Sequence, residues 1–145
     1  MKVFFDTSVL MAACIAEHPF HDRAAAVWLR VADRADEGFC STHALAETYA
    51  TLSVLPRSHR LHPREAHELI LQNVLGQLKV VPLTTADYKL ALARVVGLGL
   101  VGGVIHDALH VIAAERTQVK RIFTFHVPHF LRVADDRSRP LIQAP

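Results

Sequence analysis

The sequence predicts an α/β fold of three layers, with a parallel sheet of about five strands between two layers of helices. Three observations predict it. Short apolar runs rich in β-branched and aromatic residues alternate with longer helical patterns along the chain. The helical stretches fall between the strands, as the crossover connections of a parallel sheet require. The 145 residues, 51% of them hydrophobic, are enough for one core and a single domain over 1–145.

The elements follow in order. Val3-Phe4-Phe5 makes residues 2–5 a strand, and residues 8–16 read as a short helix that ends before His18-Pro19. Residues 20–36 are alanine-rich and amphipathic, with Ala24, Val27, Trp28 and Val31 on one stripe. Trp28 is expected in the core or at an interface, and Gly38 is expected to close that helix. Phe39-Cys40-Ser41 is a second strand, followed by a helix over 43–54. Pro56 to Pro63 forms a loop in which Arg57, His59, Arg60 and His62, with Arg64 beyond, give a basic patch. Pro63 suits the first turn of a helix over 63–77. Residues 79–82 form a third strand, and Thr84 with Asp87 makes a capping box for a helix over 84–96. GLGLVGG is a glycine-rich loop. A helix over 105–117, a strand over 121–125 and a fifth strand over 140–143 complete the pattern.

Composition narrows the function. The net charge of +2 permits a polyanionic partner without requiring one. No apolar run approaches the ~20 residues of a membrane span. The first residues lack the basic-then-apolar pattern of a signal peptide. Cys14 and Cys40 form no paired motif, so a reduced, cytoplasmic setting is expected.

Three carboxylates stand in apolar company. Asp6 ends the first strand, Glu47 lies within HALAETYATL, and Asp107 lies within VIHDALHVIAA. Each has a structural explanation. Asp6 can cap the next helix, Glu47 can pair with an arginine, and Asp107 can answer a helix dipole. Together they say more. Each sits at an element boundary, and a parallel α/β sheet gathers such boundaries at the carboxyl edge, where ligands bind. Converging carboxylates repel unless a hard cation joins them, and Mg²⁺ or Mn²⁺ prefers oxygen ligands. The chemistry expected of such a site is metal-activated water attacking a phosphodiester.

The segments MKVFFDTSVLMA, STHALAETYATL, GGVIHDALHVIAAE and IFTFHVPHF, in this order, resemble the PIN-domain family, in particular VapC-type ribonuclease toxins of toxin–antitoxin pairs. The resemblance spans residues 2 to 132. It implies a five-stranded parallel sheet, a Mg²⁺- or Mn²⁺-dependent endoribonuclease and an RNA substrate. By position it assigns Asp6, Glu47 and Asp107 to the metal, Thr7 or Ser8 to support of the first aspartate, and Thr124 to the last motif. It also implies an antitoxin lying over the helices at 8–16, 20–36 and 43–54. Met11, Ile15, Phe20, Trp28 and Leu52 on these helices are expected to exceed what one sheet face can bury. A homodimer is expected as well. One departure stands out. Where the family often carries further Asn or Asp, this chain has His126 and His129, so the fourth acidic corner is replaced. His110, three residues from Asp107, is expected to support the site.

Two other readings stay open: a catalytically weak RNA-binding module, and a partner-binding subunit. HDALH places His106 and His110 at a zinc-binding spacing, but no third ligand follows downstream, which weighs against a metalloprotease. No nucleophile elbow accompanies any serine.

Overall fold

Side-chain alternation along the first strand sets the layers. In β1 (Lys2–Phe5), Phe4 enters one core cluster while Val3 and Phe5 enter another. The computed structural model describes residues 1–56, 58 and 60–145. After β1 come α1 (Thr7–Cys14), α2 (His21–Ala32), β2 (Glu37–Ser41), α3 (Thr42–Leu52) and α4 (Pro63–Leu69). A π-helical turn over Ile70–Leu75 extends α4. β3 (Lys79–Val81), α5 (Thr85–Gly97), α6 (Val104–Thr117), β4 (Arg121–Phe123) and α7 (Val127–Val133) follow. A 3₁₀ turn over Arg139–Leu141 leads into β5 (Ile142–Gln143).

The five strands form one sheet in the order β3-β2-β1-β4-β5, and every neighbouring pair is parallel. Phe4 is in register with Phe39 on one side and Ile122 on the other. The chain runs outward from β1 to β3 and then restarts on the opposite side with β4. The order therefore reverses at β1. The carboxyl end of β1 is the crevice that such sheets reserve for ligands.

The two faces are buried separately. Phe4, Phe39 and Ile122 pack with Ala91, Val95, Leu109, Ile112 and Phe130 of α5, α6 and α7. Val3, Phe5, Cys40 and Phe123 pack with Leu10, Ala24, Val31 and Val74 from α1, α2 and the π-helical turn. Phe5 stacks on Phe123 and meets Trp28, each at 5.8 Å between centroids, so Trp28 serves the core as expected. Truncating Phe4 or Phe5, both fully buried, would cost about 3–5 kcal/mol. No helix among the described residues is long and apolar enough to cross a membrane.

Several local expectations are corrected. The helix expected over 20–36 stops at Ala32. The chain turns through Arg34 in the left-handed region, at φ 60°, and Asp36 is held by Arg30 and the terminal ammonium of Met1. Gly38 does not close a helix. It lies inside β2, where an added Cβ would collide with Leu78 and press on Val31 at 3.0 Å. The helix expected over 63–77 is α-helical only to Leu69 before its π-helical turn. The sequence reading has no helix over Val127–Val133, where α7 starts with Pro128 in its first turn and buries Phe130 and Val133.

The surplus apolar face is also corrected in part. Met11 and Leu52 are buried in the core, and Ile15 and Trp28 pack against it. Of the five residues expected to be left over, Phe20 alone is exposed. In the basic loop, Arg57 and His59 lie outside the described residues. His62 and Glu65 form a capping box on α4.

Candidate active site

The backbone delivers Asp6 to the crevice and its own side chain fixes it there. Asp6 follows β1 and is the N-cap of α1. Its Oδ1 accepts from Ser8 Oγ at 2.7 Å and from the Val9 amide at 3.0 Å. Its Oδ2 accepts from Thr124 Oγ1 at 2.7 Å. The capping role and the site role therefore coincide in one carboxylate. Each carboxylate oxygen has two lone-pair positions, so Oδ1 is filled and Oδ2 keeps one open. Ser8 in turn accepts from the Phe125 amide at 2.9 Å, which ties the end of β1 to the end of β4. Of the two hydroxyls assigned by position, Ser8 supports Asp6. Thr7 does something else.

Thr7 Oγ1 donates to Glu47 Oε2 at 2.7 Å. The same oxygen faces His110 Nε2 at 2.6 Å. Glu47 Oε1 lies 3.6 Å from His43 Nε2. The partner of Glu47 is thus imidazole, not arginine. Burial pushes the Glu47 carboxyl up, but contacts from His110, His43 and Thr7 outweigh it and hold the group far below the usual carboxylate range. Since Glu47 is ionised, His110 Nε2 carries a proton toward it. His110 itself is buried between Phe4 and Phe130, and its Nδ1 lies 3.1 Å from Ser41 Oγ. Ser41 is also the N-cap of α3, accepting from the Ala44 amide. His110 is therefore placed beside Glu47, with its face set by aromatic rings and its far nitrogen by a hydroxyl.

Asp107, in the first turn of α6, is different. Its side chain is 16% exposed, and His129 Nδ1 stands 3.9 Å from its Oδ2. Among the described residues nothing donates a hydrogen bond to it. Burial raises its carboxyl above the ordinary value and the charge of Asp6 adds to this, against His129, His110 and His126. A half-buried carboxylate that none of the described residues serves with a hydrogen bond faces the cleft free to take a cation.

Asp6, Glu47, Asp107, His110 and His126 line one open cleft of about 420 Å³. His129 stands on the other flank, in a hollow that also contains Asp107 and Arg132. The structure thus gathers all three predicted carboxylates, with Thr7, Ser8, His110, Thr124 and His126 around them. Sequence reasoning missed His43 and Ser41. His43 Nε2 lies 2.8 Å from His106 Nδ1, so His106 joins α6 to α3 beside the cleft. The signal was present: His43 and Glu47 are four apart on α3, as His106 and His110 are on α6.

The PIN-domain family model matches residues 3–134. The chain belongs to the PIN-domain family. Ribonuclease VapC27 of Mycobacterium tuberculosis (strain ATCC 25618 / H37Rv) is 34% identical over 109 residues, covering 75% of this PIN domain and 74% of the relative. Solved structures share the fold. The sarcin–ricin-loop-cleaving toxin VapC20 of Mycobacterium tuberculosis aligns with a TM-score of 0.70 at 20% identity, over 88% of this chain and 92% of that one. VapBC2 from Rickettsia felis, bound to a DNA fragment from its promoter, aligns with a TM-score of 0.70 at 17% identity, over 100% and 99%. These likenesses agree with the parallel five-stranded sheet of this PIN domain.

Proposed function

We propose that this PIN domain is an endoribonuclease dependent on Mg²⁺ or Mn²⁺, the toxin of a toxin–antitoxin pair. The observation that carries the reading is Asp107, a half-buried carboxylate to which no described residue donates a hydrogen bond, sharing a cleft with the open position on Asp6. All-oxygen donors suit a hard cation. Asp6, Asp107 and Glu47 would hold it. A bound cation there supplies a lowered pKa for its water and neutralises phosphate charge. The chain's own residues do the rest. Ser8 and Thr124 keep Asp6 aimed, and Thr7 with His110 keeps Glu47 ionised. VapC27, the ribonuclease relative, supports RNA as the substrate. Arg132, beside Asp107 in the outer hollow, is suited to a flanking phosphate.

The partners in this reading are an antitoxin, supported by the VapBC2 assembly, and a second copy of the chain. Tyr88, Leu92 and Val96 recur every four residues along the outside of α5 and are exposed, which gives such partners an apolar surface. The test is cleavage of a structured RNA by purified protein supplied with Mn²⁺. Cleavage should stop in EDTA and in Asp6→Asn. Cleavage at the wild-type rate under either condition would overturn the reading.

One observation favours a second reading. Glu47 Oε2 already serves Thr7 and His110, so the carboxylate is drawn from the cleft toward imidazole. A PIN domain so arranged would bind RNA or a partner and cut weakly. Tight RNA binding without cleavage in Mn²⁺ would favour it.

A further inference from the structure

The imidazoles around Glu47 are more than its counter-charges. Three ligand-type atoms, one each from His43, Glu47 and His110, lie within 4.8 Å of one another. They come from two helices whose packing is fixed, α3 and α6. Two pairs are already close, at 2.6 Å for His110–Glu47 and 3.6 Å for His43–Glu47. Tetrahedral geometry with ligands at ~2.1 Å puts ligand atoms about 3.4 Å apart. No pair therefore needs to close by more than about 1.4 Å, and the His110–Glu47 pair at 2.6 Å must open, adjustments that the partly exposed His43 and Glu47 side chains can make.

The surroundings match a built site. A metal-binding histidine usually has its other ring nitrogen held by an oxygen, which fixes the ring and raises its basicity. His110 has this arrangement through Ser41 Oγ, and it is 3% exposed. The donors are two imidazole nitrogens and one carboxylate, a set that suits Zn²⁺, Co²⁺ or Ni²⁺ and not Mg²⁺. It also leaves a fourth position for water. A cation on His110 Nε2 requires the tautomer with its proton on Nδ1, where that N–H can be donated to Ser41 Oγ.

We propose that His43, Glu47 and His110 form a binding site for a nitrogen-preferring divalent cation of the zinc class, separate from the oxygen site at Asp6 and Asp107. His106 is outside the ligand set. Its Nδ1, 2.8 Å from His43 Nε2, competes with the cation for that nitrogen. A consequence follows that rests on the ribonuclease reading: because Glu47 belongs to both donor sets, a zinc-class ion draws it from the oxygen site and lowers Mn²⁺-dependent cleavage.

The test uses the metal-free full chain titrated with Co²⁺ alone, followed by visible absorption, and with Zn²⁺ alone, followed by calorimetry. One equivalent should bind, and Co²⁺ should give the intense bands of four-coordinate geometry. His43→Gln, which keeps a polar side chain and is checked by thermal melting, should weaken Zn²⁺ at least about 100-fold, beyond the loss of an outer partner. Asp107→Asn should weaken it by no more than about tenfold, as removal of a nearby charge does. His106→Ala should bind at least as tightly as the wild type. The proposal is overturned by weak octahedral Co²⁺ bands, by full affinity in His43→Gln, by a greater loss in Asp107→Asn than in His43→Gln, or by loss in His106→Ala. The absorption readout needs no RNA, so a failure to cleave RNA would count against the nuclease reading alone.

Discussion

Glu47→Gln isolates what the imidazoles contribute. The change keeps the shape of the side chain and removes its charge. The amide oxygen can still accept from both Thr7 and His110, which meet one carboxylate oxygen, but as a neutral acceptor, and the amide nitrogen replaces the oxygen that faces His43. Hydrogen bonds to charged groups contribute about 1.5–3 kcal/mol each, and this side chain is 29% exposed, so a loss of about 2 kcal/mol is expected. Relief of repulsion with the other carboxylates works in the opposite direction. The His110 contact at 2.6 Å dominates, as the depressed carboxyl of Glu47 shows. For a chain of this size that corresponds to a Tm lower by about 4–8 °C at pH 7. The pH dependence follows from the direction of the shift. The folded pKa of Glu47 lies below its ordinary value of 4.5, so its contribution is complete above that value. It fades as pH falls through the folded pKa, because the unfolded chain takes up the proton first. The gap between wild type and variant should therefore be full at pH 7 and narrow toward zero under strong acid. Circular dichroism melts in EDTA, stepped from pH 7 to pH 3, measure it. Equal melting temperatures at pH 7, or a gap that widens on acidification, would refute the reasoning.

Other outcomes can be checked alongside. Asp6→Asn should abolish Mn²⁺-dependent RNA cleavage and also melt a few degrees lower. An amide cannot accept from Ser8, Val9 and Thr124 at both ends, and an unsatisfied buried donor costs about 1–3 kcal/mol. A gel-based cleavage assay beside a melt separates the two effects. Asp107→Asn should raise the melting temperature of the metal-free protein at pH 7. Since the Asp107 carboxyl is raised when folded, its ionisation costs stability above that pKa, and the gap between variant and wild type should close on acidification as the wild type regains this. His126→Asp restores an acidic corner to the cleft and should tighten Mn²⁺ by about tenfold, the size of a nearby-charge effect. Calorimetry at equal affinity would place residue 126 outside the metal's reach.

The carboxylates were legible because each stands in an apolar run where a charge needs a reason. The strands were legible because Val3-Phe4-Phe5 and Arg121–Phe123 are short, apolar and separated by helical patterns. What pairs across the fold was not. That Glu47 meets His110 depends on how α3 packs on α6, which no local pattern encodes, so an arginine partner was a fair alternative and His43 went unweighed. Thr7 and Ser8 are neighbours with the same chemistry. Only the helical turn sends one to Glu47 and the other back to Asp6. Gly38 misled because glycine serves two ends. It was read as a helix stop, whereas its lack of a side chain admits Val31 and Leu78. The helix α7 hid behind Pro128, which here starts a helix as readily as it ends one.

The hydrogen bond from Thr124 to Asp6 joins residues 118 apart in the chain. On the ribosome these two groups are made at different times. At about 5–20 residues per second, roughly 6–24 s separate them. Throughout that interval the central strand lacks its neighbour β4, and Asp6 lacks the Thr124 hydroxyl that holds its second oxygen. A nascent chain therefore carries its first carboxylate long before it carries a working cleft. For a protein that would cut RNA, this delay keeps the chain inert while it is still attached to the message and the machine that make it.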